Sequence, residues 1–532
     1  MIILSKGAIL TVLMVSLYVE AMACHKIKKG GLDMPQRLRV CLALCGCLAL
    51  LSGCAGQPTV SDSPTESLSS TIPGQGPSSF ALPYSHDDTL NPFAASTEVN
   101  LRLATLLYDS LMTVDAAFVP RQALASSVKR VDATHLAAVL REGAVFSDGS
   151  AVTLQDVTRS FEFAKASANY KTLLSNVTAA KADKQTSRVI FTLAGADPHA
   201  EACLSFPIIK CSTVTKEAGK APVGGGVYRL QNTDVGDTLV ANQRYRERPQ
   251  YTTIGLRHLP NSDAMYYGLS AGDITYYFND LNSGEIPRVS GANLAVDMNA
   301  LLFVGIHSQH AALSQPAVRQ ALSLLPDRPA LATGAYSGWA QGSSLPFHPA
   351  WKSVADLALP VAARDLDGAL ARLTAAGYGN AADGKPLNLQ LVYCTDNRVR
   401  ARVVTLLCTQ MESAGIQITP VPLSYADYMA RLKAGKYDLY LGEIRLTADM
   451  SLRPLLAGGA ASYGIQRSGA SAVAYARYLN GEIDLKAFLD AFSEDVPYIP
   501  LCWLSGFAAY DRRLTSVTPT GYDAYYGIAA WK

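Results

Sequence analysis

Apolar positions recur along this chain in two alternating rhythms. Between Asn100 and Leu111, Leu103, Leu106, Leu107 and Leu111 fall at i, i+3, i+4 and i+8, one face of an amphipathic helix. His135 to Arg141 reads as a strand and Asp148-Gly149 as a turn. Thr153 reads as the N-cap of a helix through Ala166, with Asp156 placed to complete a capping box. Further strands are expected at 188–193, 238–241, 273–278, 301–307, 387–393, 417–421 and 439–445, and helices at 262–270, 315–324, 365–376, 397–414 and 425–433. Strands and helices that alternate over this length predict α/β lobes rather than a bundle or a sandwich.

The first 79 residues carry a different pattern. Ile2 to Ala23 is an apolar stretch followed by Lys26, Lys28 and Lys29. A second basic segment, Met34-Pro35-Gln36-Arg37-Leu38-Arg39, precedes the apolar run Val40–Leu51, which is too short to span a bilayer stably. Small residues then lead into a cysteine, Leu51-Ser52-Gly53-Cys54. This order resembles a bacterial lipoprotein signal, which implies diacylation of Cys54 as the first mature residue and a membrane anchor outside the cytoplasm. Residues 1–53 are then a leader, with Met34 favoured as the true start over a transmembrane reading of Ile2–Ala23. Residues 55–79 are about two-thirds Ser, Thr, Pro and Gly, so 54–79 reads as a flexible linker and order is expected from Phe80.

Beyond the leader, 40 basic and 42 acidic residues nearly cancel, which leaves no electrostatic footprint for nucleic acid. No later apolar run approaches a membrane span. Cys203, Cys211, Cys394, Cys408 and Cys502 lack the paired spacing of a zinc site; buried free thiols are favoured, with a Cys203–Cys211 disulfide left open. His307 and His310 lack a nearby acidic partner and read as a polar loop, so no metal and no cofactor is expected. Gly268-Leu269-Ser270-Ala271-Gly272 fits the G-x-S-x-G pattern, but the elbow needs a strand before the serine and a helix after it. Here a helix precedes and a strand follows. A cell-surface hydrolase with Ser270 as nucleophile is therefore the alternative and a non-enzymatic protein the expectation.

A further set of motifs runs from about Tyr84 to the C-terminus. Thr89-Leu90-Asn91-Pro92 with Leu107-Tyr108-Asp109-Ser110-Leu111, Leu140-Arg141-Glu142-Gly143 with Phe146-Ser147-Asp148-Gly149, and Pro222-Val223-Gly224-Gly225-Gly226-Val227-Tyr228 follow in order. Asn242, Tyr245 and Pro249, then Val318-Arg319-Gln320-Ala321-Leu322 with Asp327-Arg328, continue the series, with Gly377-Tyr378, Asp383-Gly384 and Gly415-Ile416 as weaker members. Together they resemble the extracellular solute-binding proteins of family 5, the peptide- and nickel-type receptors of ABC importers. The resemblance implies a two-lobe periplasmic-binding-protein-like clamshell (type II, cluster C-like). Lobe I would comprise 80–114, 216–298 and 491–532, with 115–215 as an inserted subdomain, and lobe II 299–490. Strands near 300–306 and 497–504 would cross between the lobes as a hinge. The implied protein is a monomer that captures a small solute, peptide or amino-acid-like, by hinge closure and delivers it to permease subunits.

For the ligand, Tyr437-Asp438 through Asp449 is the segment of interest. A strand here would send Glu443, Arg445 and Thr447 to one face. In peptide-binding relatives the matching stretch ends in an aspartate that holds the ligand's amino group, and Asp449 is the best match; the tryptophan that precedes it there is absent here. Glu443 or Asp449 would pair an ammonium and Arg445 a carboxylate, suiting a zwitterion. Trp503, in the second hinge strand, would stack on ligand or pack in the core.

Overall fold

The computed structural model describes residues 77, 79–234, 236–281, 284, 291–360, 362–379 and 384–532. The leader, Cys54, nearly all of the linker, and Asp383 of the Asp383-Gly384 pair lie outside the described residues. The ordered chain opens with β1 (Phe80–Tyr84) and α1 (Glu98–Leu107). The leucine rhythm predicts helix through Leu111, yet Tyr108 is already extended at φ −126° and ψ 133°. The Leu107 carbonyl, which the Leu111 N–H would reach in a longer helix, instead accepts the Gly226 N–H at 3.0 Å. Glycine is needed for that approach, because a β-carbon at Gly226 would stand 2.3 Å from the Leu106 oxygen.

A short hairpin, β2 (Met112–Val114) and β3 (Pro120–Gln122), leads into β4 (Ala125–Asp132), β5 (His135–Leu140), α2 (Leu154–Ala166), β6 (Val177–Asp183) and β7 (Arg188–Leu193). α2 begins at the expected capping box. Thr153 Oγ1 accepts the Asp156 N–H, and the Asp156 carboxylate accepts the Thr153 N–H, each at 3.1 Å. The last four strands form an antiparallel sheet ordered β4-β5-β7-β6 around a separate apolar cluster that holds Phe146, Phe161, Phe191 and Phe206. This is the inserted subdomain.

The chain then returns to lobe I. β8 (Tyr228–Thr233), β9 (Gly236–Ala241) and β10 (Thr253–His258) complete a sheet ordered β1-β10-β9-β8, with β1 parallel to β10. α3 (Ser262–Ala271) ends at Gly272 (φ +82°), and β11 (Tyr276–Asn279) precedes the long β12 (Ala292–Ile306). Lobe II follows as α4 (Pro316–Leu324), α5 (Arg328–Tyr336), β13 (Ala340–Gly342), α6 (Lys352–Ala355), α7 (Leu366–Ala375) and β14 (Asn388–Cys394). It continues through α8 (Arg398–Glu412), β15 (Gln417–Leu423), α9 (Tyr425–Lys433), β16 (Leu439–Arg445), α10 (Arg453–Leu456), α11 (Ala470–Leu479) and α12 (Leu485–Asp495) to β17 (Tyr498–Tyr510).

β12 and β17 are antiparallel neighbours in a sheet ordered β11-β17-β12-β16-β14-β15, with β13 on β17. Each strand serves two cores. Val296, Met298, Ala300 and Ala508 pack with Leu82, Tyr228 and Tyr276 in lobe I, whereas Leu302, Val304, Ile306, Ile499 and Leu501 pack with lobe II helices. α12 runs through the expected lobe boundary at 490/491. Its Phe488, Leu489 and Phe492 share a cluster with Tyr440, Tyr475 and Tyr498, so the return to lobe I takes place within β17. Two arginines of the motif series act inside lobe II. Arg319 pairs with Asp495 at 2.6 Å, and the fully buried Arg328 donates to the Pro500 carbonyl at 2.9 Å. Among the described residues no helix is long and apolar enough to cross a membrane.

Removing one half of the α2 capping box tests the link from sequence to local structure. Thr153→Ala is expected to lower unfolding stability by about 1 kcal/mol, measured as a smaller urea midpoint at unchanged slope.

Candidate functional site

The lobes meet through rings and a few charges. Phe118, held at φ +56° in a turn whose Ala117 and Val119 N–H groups both donate to Asp115 Oδ1, lies 4.8 Å from the His348 ring and 6.1 Å from Tyr522. His348 in turn lies 5.1 Å from Trp503. Burial pushes the His348 imidazole down to about 3, so it is neutral, and its Nδ1 accepts the Ala350 N–H. From the subdomain, His199 sits 4.8 Å from Trp351 and its Nε2 is 2.7 Å from the Tyr478 hydroxyl. Arg453 Nη1 pairs with Asp197 at 2.8 Å while its Nη2 donates to the Ala196 carbonyl. Subdomain and lobe II are thus in direct contact.

Asp449 lies inside this contact, 4 % exposed. Thr447 Oγ1 donates to Asp449 Oδ1 at 2.5 Å. Burial raises the carboxyl to about 7, the charge of Asp197 adds to the rise, and Thr447, Arg453 and Cys203 offset only part of it. β16 ends at Arg445, so Thr447 reaches Asp449 from the loop beyond the strand rather than from its face. The structure also parts the expected zwitterion cradle. Glu443 pairs with Arg400 of α8 at 3.2 Å within lobe II, whereas Arg445 reaches Asp280 of lobe I at 3.2 Å. Trp503 is 1 % exposed in an apolar cluster, its indole N–H without a hydrogen-bond partner among the described residues.

A cavity of about 690 Å³ opens where α1, the subdomain and the C-terminal loop converge. Of the five residues singled out in the sequence, only Arg445 lines it, and it does so from lobe II. Tyrosines 108, 170, 245, 522, 525 and 526 line it as well. Charges of both signs are fixed around it: Arg246 pairs with Asp109 at 2.6 Å, Arg102 pairs with Glu98, and Arg121 pairs with Asp115 at 2.7 Å. Burial raises the Asp109 carboxyl above its usual range despite Arg246, and raises Glu98 despite Arg102. These residues come from segments far apart in sequence and share no spacing. Leu107-Tyr108-Asp109 was legible as a motif, but the pairing of Asp109 with Arg246 was not.

Ser270 is not placed for nucleophilic chemistry. Its hydroxyl donates to the Tyr266 carbonyl one turn back in α3 at 3.0 Å, and the strand of an elbow is missing before it. The five cysteines of the body are free thiols, with Cys203 buried beside Asp449.

This architecture has known counterparts. The chain is 23 % identical over 428 residues to the oligopeptide-binding protein AppA of Bacillus subtilis (strain 168), which covers 73 % of this chain and 76 % of AppA. It is 25 % identical over 346 residues to the heme-binding protein A of Haemophilus influenzae, spanning 58 % of this chain and 60 % of that relative. In three dimensions it matches the unliganded open form of MppA, a periplasmic murein tripeptide binding protein, with a TM-score of 0.69 at 16 % identity, over 84 % of this chain and 96 % of MppA. Residues 119–455 match the model for bacterial extracellular solute-binding proteins, family 5 Middle. Such proteins bind solutes outside the cytoplasm for ABC importers and are not enzymes, in keeping with the position of Ser270. With its two lobes hung on shared strands, its inserted subdomain and a polar cavity at their junction, the chain belongs to the extracellular solute-binding proteins of family 5.

Proposed function

We propose that the chain captures a short peptide or amino-acid-like zwitterion in the 690 Å³ cavity and hands it to an ABC permease, tethered to the membrane by a lipid on Cys54. The observation that carries this reading is the cavity itself. Its size falls in the range of small-molecule sites. Tyrosines supply walls with polar tips. Arg445 is a lobe II side chain at a cavity otherwise built by lobe I and its subdomain, so a solute carboxylate bound there would touch both lobes. Contact with both lobes gives the closed form the differential affinity that closure requires. Asp449 and Thr447, in the contact between lobe II and the subdomain, would take the ammonium end or set the energy of closure.

Calorimetry with di- to pentapeptides and free amino acids tests the reading. At least one peptide class should bind saturably, and Arg445→Ala should weaken it roughly 10- to 100-fold, the worth of a charge-assisted hydrogen bond. Heats absent across the whole peptide panel would refute the proposed solute class. For the anchor, Cys54→Ser expressed in a bacterial host should move the protein from the membrane fraction to the soluble one and abolish labelling by a fatty-acid probe.

Asp449 gives a pH signature. A carboxyl held at about 7 when folded and near 3.9 when unfolded keeps its proton more tightly in the folded state. Stability from this group is therefore undiminished below about pH 4 and falls as pH rises toward 7. Thermal midpoints of wild type and Asp449→Asn should converge near pH 4.5, and at pH 8 the variant should melt several degrees higher.

A further inference from the structure

A second hollow, of about 620 Å³, opens in lobe II, and none of the residues around it borders the first cavity. The segment after β12 (His307, Gln309), the end of α9 (Lys433), the residue before β16 (Tyr437) and the turn 463–468 converge on it. Its ionisable neighbours of ordinary charge are all basic: His307, Lys433 and Arg467. No carboxylate lines it. Asp438, adjacent in sequence, turns its side chain to the Gln390 N–H at 2.8 Å and toward His310 at 3.7 Å.

The donors here are largely unspent. Lys433 makes no ion pair or side-chain hydrogen bond among the described residues, and the Arg467 side chain donates only to the Gly458 carbonyl, at 3.2 Å. Tyr437 is 5 % exposed, borders the hollow, and its hydroxyl has no hydrogen-bond partner among the described residues. Its ring lies 5.1 Å from that of His307. Gly464 keeps the wall open. A β-carbon there would stand 2.6 Å from the Ile306 oxygen and 2.9 Å from the Tyr437 hydroxyl. The C-terminal dipole of α9 favours a lysine at position 433. That accounts for one cation but not for Arg467, His307 and the Tyr437 hydroxyl, which other segments bring to the hollow.

We propose that this hollow is a second binding site, for a small molecule bearing an oxyanion, phosphate or carboxylate, on an organic ring. Lys433 and Arg467 bind the anion, the Tyr437 hydroxyl donates to it, and the Tyr437, Tyr463 and His307 rings flank the organic part. The site goes beyond the solute cleft and does not depend on the reading of that cleft.

Calorimetry of the purified protein at low ionic strength and pH 8, with phenyl phosphate, benzoate and neutral benzyl alcohol, tests it. Saturable binding of phenyl phosphate or benzoate, or both, is expected, with the stronger probe identifying which oxyanion the site prefers, and benzyl alcohol at least about 10-fold weaker. The Lys433→Ala/Arg467→Ala double variant should lose roughly 10-fold or more, as should Gln309→Glu, which brings a negative charge to the exposed rim. These side chains are exposed, so thermal midpoints should stay at the wild-type value. Binding of neither anion, or equal affinity for wild type and both variants, would overturn the assignment.

Discussion

Two antiparallel strands, β12 and β17, carry the molecule. Their ladder pairs Ala292 with Tyr510 at one end and Gly305 with Tyr498 at the other, and among the described residues no other pair of strands belongs to both lobes. The ladder shifts register between Asp297 and Ala300 and again between Leu302 and Phe303, where the chain passes from one core to the other. A bulge bends a strand and sharpens its twist. Close packing accompanies the bend: the ring of Tyr440 on β16 stands where a β-carbon of Gly305 would be, and Gly442 leaves room for Phe303 opposite it. Each lobe keeps its own core, and the strands they share join the two.

The contact between the subdomain and lobe II buries charge that is incompletely paired. Asp197 and Asp449 crowd one guanidinium, Arg453, and the better-paired of the two is Asp197. Asp449 keeps a proton or loses stability. Around it, Phe118, His348, Trp503 and Tyr522 supply apolar contact, and the Tyr522 hydroxyl also donates to the Leu446 carbonyl at 3.1 Å.

The strands that escaped sequence reading share a physical cause. In the subdomain, β5 and β7 lie inside the sheet and were expected at 135–141 and 188–193, whereas the edge strands β4 and β6 carry Ser, Lys, Arg and Asp and show no clean alternation. The first half of β12, Ala292 to Asn299, alternates exposed Asn293, Ala295 and Asp297 with Leu294, Val296 and Met298 and was not expected, while its fully buried half was. α1 stopped short because a distant glycine took the carbonyl its next turn required. Local pattern reports burial, and partly solvated edges bury too little to leave one.

By itself the sequence determined the α/β class, the capped helices, the inner strands and the order of motifs that a two-lobe receptor needs, because each of these is set by residues close together in the chain. It also carried the basic, apolar and small-residue order that ends at Cys54. Only the tertiary structure decided where the charges of one short segment end up. Glu443, Arg445 and Asp449 lie within a few residues of one another, yet they end in a lobe II ion pair, at the cavity wall and inside the lobe contact, respectively. The partners of the first two, Arg400 and Asp280, and the carboxylate crowded against the third, Asp197, come from elements separated from them in sequence, and a side chain's charge has no fixed meaning until folding has chosen its neighbours and its dielectric.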